Sequence, residues 1–282
     1  MSALPDPDTF LSGDSGEVSG VRLTVIRSAQ DAVLDALAVL TATGPRLDRL
    51  ARRVPPRRVA VLSAYRPGRR LAEALPALRS QRHEVCFALA AAGEAEPALA
   101  GHTVTEGLAG GKFQNLNRAL AESAPADWTL VVDDDVILPT RFLDRFIGVC
   151  ETAGLALAQP AQSRRSHAAW RVTRRRPLSL ARRTRFVEIG PVTAFAAGPA
   201  AELLPFPDLR FGWGLDLHWA AVAERRGWAS GVVDATPVRH EDAPVGSAYG
   251  HGEAIEEAGR FLAGREYLPS ARAQESLGVL RR

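Results

Sequence analysis

The chain has 282 residues, 46% hydrophobic and 24% charged, with 35 Lys and Arg against 32 Asp and Glu, a net charge of +3. These are ordinary values for a soluble globular protein, and the length suits one large α/β domain or one and a half. Two cysteines, Cys86 and Cys150, imply no disulfide framework and read as buried reduced thiols, and no window approaches 18 uninterrupted apolar residues, so no transmembrane helix is expected.

Residues 1–20 are polar, with no basic or apolar leader segment, and read as disordered or loosely attached; a cytoplasmic protein follows by default. Residues 21–26 alternate weakly, as an edge strand would. Residues 29–54 carry Val33, Leu37, Leu40, Leu47 and Leu50 at helical spacing, interrupted at Gly44-Pro45 into two helices. Residues 57–65 read as the first strand of the main domain, 71–80 as a helix, 83–91 as a second strand and 103–106 as a short third. A loop at 107–111 leads into a helix over 112–123. The apolar run Leu130-Val131-Val132 is a buried strand, and Thr140 caps a helix reaching about 152. Strands follow at 155–159, 186–190 and 192–196, with an irregular Arg-rich segment over 163–185. A short helix at 200–204, a helix over 215–227 stopped by Gly227, a strand at 230–234 and a helix at about 252–262 complete the chain. Strands alternating with helices predict an α/β fold with a mostly parallel sheet flanked by helices.

Asp133-Asp134-Asp135 directly follows the buried strand, where α/β sheets bind ligands. Three adjacent carboxylates need either solvent or a cation, and Asp133 and Asp135 lie on one side of an extended chain. Two readings are open here: a polar turn after a strand, or a carboxylate pair for a hard divalent ion. Four other stretches bear on the choice. Gly110-Gly111-Lys112 places backbone N–H groups and the only lysine of the chain at a helix start, where an anion can sit, or is simply a flexible loop and cap. Gly212-Trp213-Gly214-Leu215-Asp216 puts a carboxylate in a first helical turn, as a general base or as an ordinary N-terminal acid; Trp213 and Trp219 flank it, ready to pack a sugar face or, for Trp219, a core. His240, beyond a strand end, is a candidate metal ligand or a surface histidine. Ser63-Ala64-Tyr65-Arg66 ends the first strand, where nucleotides are contacted in such sheets.

In their order along the chain these stretches resemble the GT-A fold glycosyltransferases. Gly111-Lys112-Phe113-Gln114-Asn115-Leu116-Asn117 is similar to the GKxxALN segment of family 2 enzymes. Phe211-Gly212-Trp213-Gly214-Leu215-Asp216 is similar to the GWGxED segment of inverting galactosyltransferases, and the whole pattern resembles a glycosyltransferase-like group of unknown function. The resemblance covers about residues 58–241. It implies a GT-A, Rossmann-like catalytic domain over 57–241, an N-terminal extension over 1–56 and a C-terminal helical tail over 242–282.

The resemblance further implies a metal-dependent inverting transfer of a sugar from a nucleotide-diphosphate sugar to an acceptor hydroxyl. By it, Asp133, Asp135 and His240 bind Mn2+ or Mg2+. Ser63, Tyr65, Lys112, Asn117, Asp133 and Asp134 serve the nucleotide sugar, and Asp216 is the base, with Glu188 and Glu241 the next acids in line. Two departures stand out. Leu89-Ala90-Ala91-Ala92-Gly93 lacks the acid that contacts uracil in family 2 enzymes, and Leu215 stands where an acid precedes the catalytic one. The competing classes are a nucleotidyltransferase and a non-catalytic polyanion binder using the Arg-rich segment. Scarce lysine and the small net charge argue against a nucleic-acid partner. The segment from Arg164 to Arg185 is instead an acceptor-recruiting or membrane-peripheral surface, or a solvated loop.

Overall fold

The structure, a computed structural model, describes residues 4–12, 21–240 and 251–281. After a 3-10 turn (Pro7–Thr9) come helices α1 (Val21–Leu40) and α2 (Thr43–Arg53), then β1 (Arg58–Tyr65), α3 (Leu71–Leu78), β2 (Glu84–Ala91), β3 (Thr103–Thr105), α4 (Lys112–Ala121), β4 (Trp128–Val132), β5 (Val136–Ile137) and α5 (Phe142–Ala153). The second half holds β6 (Leu157–Gln162), β7 (Ser179–Thr184), β8 (Val192–Ala196), α6 (Ala197–Leu203), α7 (Leu215–Arg226), β9 (Ser230–His240), α8 (His251–Leu262), α9 (Ser270–Ala273) and β10 (Ser276–Arg281).

The strands form a sheet in the order β10-β7-β9-β6-β8-β4-β1-β2-β3, with β5 paired to β9 off that path. β3, β2, β1 and β4 are mutually parallel, as are β6 and β9, whereas β8, β7 and β10 run antiparallel to their neighbours. This is the expected α/β sheet flanked by helices. β4 is buried along its whole length, and its side chains alternate between the two faces. Leu130 and Val132 join a core with α2, α3 and α5, while Val131 joins a second core with α4, α6, α7 and α8.

Several local expectations change. Residues 21–26 begin helix α1 rather than an edge strand: over six residues an alternating pattern and a helical one overlap, and the helix wins by continuing to Leu40. The two N-terminal helices divide at Ala42, which is left-handed (φ 48°), while Gly44-Pro45 lies in the first turn of α2, where proline's missing N–H is harmless. Thr140 does not cap α5; Arg141, with φ 58°, occupies that position. Residues 186–190 form no strand, whereas the Arg-rich segment contains β7, and the C-terminal end contributes β10. The N-terminal segment is not loosely attached throughout, because Phe10 is 4% exposed within the second core. Cys150 is buried as expected, but Cys86 is exposed. Among the described residues no helix is long and apolar enough to cross a membrane.

The Arg-rich segment is irregular over 163–178 apart from a 3-10 turn, and it leaves Arg165, Arg171, Arg176 and Arg183 exposed, but four of its arginines are committed to internal partners. Arg182 is fully buried and pairs with Asp234 at 2.8 Å, also donating to the carbonyls of Val172 and Arg174. Arg175 is 3% exposed and pairs with Asp35 at 2.6 Å, and Arg174 donates to the carbonyls of Ser163, Arg164 and Ser166. Arg185 bridges Glu224 and Glu275. A buried guanidinium is held only by such partners. These four arginines therefore tie β7 and its approach to the rest of the fold, and reversing Arg174, Arg175 and Arg176 tests folding rather than recruitment of an acceptor.

Candidate functional site

Parallel pairing of β1 with β4 brings Tyr65-Arg66 and Asp133-Asp134-Asp135 to the same edge of the sheet. Antiparallel β8 starts at that edge, and the Pro191 carbonyl accepts the Asp133 N–H at 2.9 Å. β5, immediately after the triplet, pairs Val136 with His240 at the end of β9. This two-residue strand brings His240 to Asp135 across a sequence gap of about a hundred residues, a span the topology closes for little extra cost.

The ligand atoms of Asp133, Asp135 and His240 all lie within 4.8 Å of one another. His240 Nε2 is 2.8 Å from Asp135 Oδ1, and Lys112 Nζ is 2.5 Å from Asp133 Oδ1. Burial by itself disfavours every charge here. It lifts the Asp133 carboxyl above its usual value despite Lys112. For Asp135 and His240 burial is again the largest single influence, but the hydrogen bond and the charge attraction between them together outweigh it, so the acid falls and the imidazole rises. Two carboxylates and an imidazole converging on one point fit a divalent ion such as Mn2+ or Mg2+.

These residues line a solvent-open cleft, together with Ala64, Tyr65, Arg66, Ala92, Gly110, Lys112, Asn115 and Asp134. The other residues expected to meet a nucleotide sugar differ in how they are placed. Asp134 turns to the other side, where its carboxylate holds Arg66 through the backbone N–H at 2.9 Å and the guanidinium at 3.0 and 3.1 Å. Tyr65 is 1% exposed and its hydroxyl bonds Thr103 at 2.8 Å. Ser63 is fully buried and outside the cleft lining.

Asn117 bonds both polar groups of the Phe206 backbone, each at 2.8 Å, and also lies outside that lining. On α4 it sits five residues from Lys112, about 140° around the helix, whereas Asn115 is three residues away and shares the Lys112 face. Asn115, 3% exposed, is thus a cleft residue the sequence reading missed, and the i,i+3 spacing is the signal that finds it. Asn117→Ala is expected to cost about 1–3 kcal/mol of stability by urea denaturation, since two backbone groups lose their partner, and to leave nucleotide affinity unchanged.

Asp216 stands in the first turn of α7, 5% exposed. Its Oδ1 accepts the Leu217 N–H at 3.0 Å. Burial, then the nearby charge of Glu188, raises its pKa from 3.8 to about 8. Burial likewise raises Glu188 to about 7, against hydrogen bonds from Ala169 N–H and Thr173. Glu188 is further tied to Gln162 Nε2 at 2.7 Å, Gln162 to Ser166 at 2.8 Å, and Ser166 Oγ to the His240 N–H at 3.0 Å. A hydrogen-bonded chain therefore runs from the Glu188 carboxylate to the backbone N–H of His240. Between the two acidic groups runs Glu188-Ile189-Gly190-Pro191. The Ile189 carbonyl accepts from Lys112 at 3.3 Å, and a Cβ on Gly190 would lie 2.9 Å from Asp133 Oδ2, so any larger residue there would displace the Asp133 carboxylate. Trp219 is 2% exposed and packs its ring against Phe195 at 5.1 Å, so it is core; Trp213 lines the cavity beside Asp216. Glu241 lies outside the described residues.

The loop ahead of Asp216 packs on the start of α4. Gly212 has φ 76°, and a Cβ there would fall 1.9 Å from the Phe113 ring, so both conformation and space demand glycine. Glu257 of α8 holds this loop: its carboxylate accepts the N–H groups of Arg210, Phe211 and Gly212 at 2.7, 2.9 and 2.9 Å. No local sequence pattern connects residues this far apart. Glu257→Gln weakens three charge-assisted bonds, and a loss of about 1–3 kcal/mol is expected by urea denaturation, with faster amide exchange at residues 210–214 than elsewhere.

No protein-family model matches the chain, and no curated protein matches it in sequence. Among solved structures, the mannosyltransferase PcManGT from Pyrobaculum calidifontis, in complex with GDP-Man and Mn2+, is similar over 74% of this chain and 65% of its own length, with 18% identity and a TM-score of 0.46. This chain thus spans a little under two thirds of that protein.

Proposed function

We propose that the protein is a metal-dependent inverting glycosyltransferase of the GT-A type, moving a sugar from a nucleotide-diphosphate donor to an acceptor hydroxyl. The observation that carries this reading is the pairing of two unlike acidic centres on either side of residues 188–191. One, Asp133, Asp135 and His240 with Lys112, suits a cation and a diphosphate; the other, Asp216, is a buried carboxyl of raised basicity in an adjoining cavity. Asp133, Asp135 and His240 would hold the divalent ion, which when bound neutralises charge on the leaving diphosphate. Lys112 places its ammonium in the same cleft and supports that charge. Asp216 as carboxylate takes the acceptor O–H proton while the acceptor oxygen bonds to the anomeric carbon. The bond from that carbon to the diphosphate breaks on the opposite face, its electron pair leaving with the diphosphate, and the anomeric centre inverts.

A nucleotidyltransferase would leave Asp216 and its cavity without a task, and a polyanion binder would have to do without Arg175 and Arg182, which are committed to internal partners. A thermal-shift screen of nucleoside diphosphates, each with and without Mn2+, tests the donor half of the reading. Melting should rise only for the matching nucleotide with the ion present. No stabilisation by any nucleotide would sink it.

A further inference from the structure

Asp216 opens into a second pocket, about 540 Å³ only when the open solvent at its mouth is counted, whose walls include Phe10, Leu11, Trp170, Glu188, Trp213 and Asp216. Its character is the reverse of the metal-side cleft. Among the described residues no Lys or Arg lines it, so a phosphate or carboxylate would meet two acids with none of these to balance its charge. Among the described residues its polar side chains are Ser12, Glu188 and Asp216. The Glu188 carboxylate already accepts from Gln162 at 2.7 Å and from the Ala169 N–H at 3.3 Å. A sugar seated here would bury hydroxyls with almost nothing to bond them, which costs more than its ring contacts return. Trp170, Trp213, Phe10, Leu11 and Ile189 instead offer faces for a flat apolar body.

One wall of this cavity comes from the N-terminal segment, and that segment is anchored. Phe10 is 4% exposed and packs in the same core as Trp170, Phe186 and Leu268. Thr9 Oγ1 bonds the Tyr267 hydroxyl at 3.0 Å, and Ser270 Oγ donates to the Asp8 carbonyl at 3.3 Å. Asp6 caps the turn by accepting the Asp8 N–H at 3.1 Å. The wall is therefore held by the C-terminal part of the chain, more than 250 residues away in sequence, rather than resting there by chance.

We propose that this cavity is the acceptor site and that it takes a neutral alcohol carried on an aromatic body, with Phe10 and Leu11 as specificity-determining residues. The proposal rests on Asp216 being the base of a glycosyl transfer, and it deepens that reading by naming the acceptor class. The apolar body fills the space between Trp213, Trp170 and Leu11, and the hydroxyl at its edge reaches Asp216.

Equilibrium binding to the full chain, without donor or metal, tests the proposal separately from turnover. The probes are 2-naphthaleneethanol, methyl glucoside and glucose 6-phosphate, followed by saturation-transfer NMR and calorimetry. The naphthyl alcohol should bind at least about tenfold more tightly than methyl glucoside, and glucose 6-phosphate more weakly still. Leu11 is only partly buried, so Leu11→Gln should fold, with a melting temperature near that of the parent chain, and should lose about fivefold or more in naphthyl affinity. Methyl glucoside binding as tightly as the naphthyl alcohol, or naphthyl affinity unchanged in Leu11→Gln, overturns the proposal. Asp216→Asn should keep the naphthyl affinity within about threefold. If the probe binds as expected while Asp216→Asn still transfers sugar normally, the acceptor cavity stands and the assignment of the base falls.

Discussion

Asp216→Asn is expected to lower kcat by about 10² to 10⁴ while donor affinity stays within about threefold, because a general base acts in the transition state and is almost silent in the ground state. Asparagine keeps the shape and the bond from the Leu217 N–H but cannot accept a proton. The pH profile carries more information than the rate. With a pKa of about 8, Asp216 is mostly protonated at neutral pH, and with Glu188 at about 7 the two acids titrate as a coupled pair. Activity should therefore climb between about pH 6.5 and 8.5, and that limb should vanish in Asp216→Asn. Glu188→Gln should keep turnover but move the limb to lower pH, because the like charge that helps hold the Asp216 proton is gone. Retained turnover in Asp216→Asn would make Glu188 the base instead.

The same shift has a consequence for stability, with a definite sign. Between 3.8, the ordinary carboxyl value, and about 8 the folded chain holds a proton that the unfolded chain has released. Unfolding free energy therefore falls as pH rises through that window. Asparagine removes the penalty, so the variant should match the parent near pH 4 and exceed it by at least ~2 kcal/mol near pH 8 in urea denaturation. A residue that costs stability where it works is the pattern of a functional group. A variant destabilised at every pH would mean that Asp216 serves the fold.

Much of this site was legible because its signals are local. A buried apolar strand that runs into three carboxylates is unusual within a dozen residues, and the helix starts at Lys112 and Asp216 carry their own turn glycines. What was hidden depends on partners far along the chain. Arg182 reads as surface until Asp234, 52 residues on, is folded against it. Phe10 belongs to a polar stretch and becomes a wall only because Tyr267 and Ser270 hold its neighbours. Glu257 is one more helical acid by spacing, and its task is set by three N–H groups in another loop. Asn115 and Asn117 differ only in helical phase, which a linear motif does not record. In each case the local pattern set the residue type, and tertiary packing set its role.

Asp135→Ala is expected to abolish the metal-dependent part of nucleotide binding. Asp135 is the member of the group that touches His240, at 2.8 Å, so its loss removes one candidate ligand and releases another. Asp133 then remains with Lys112 at 2.5 Å, an ion pair already satisfied without a divalent ion. In calorimetry, the matching nucleoside diphosphate should bind the parent chain at least about 100-fold more tightly with Mn2+ than with a chelator, since the ion bridges protein and phosphate. In Asp135→Ala the two conditions should give the same affinity, equal to the parent's value in chelator. Lys112→Ala supplies the contrast. It should weaken binding in both conditions, because its ammonium meets the phosphates as a point charge whether or not an ion is bound. The fold should survive Asp135→Ala, as removal of one of three crowded carboxylates relieves repulsion and offsets the lost contact with His240. If the parent chain binds the nucleotide equally well in Mn2+ and in chelator, Asp133, Asp135 and His240 are not a metal site. Lys112 would then be left as the main counter-charge to the diphosphate.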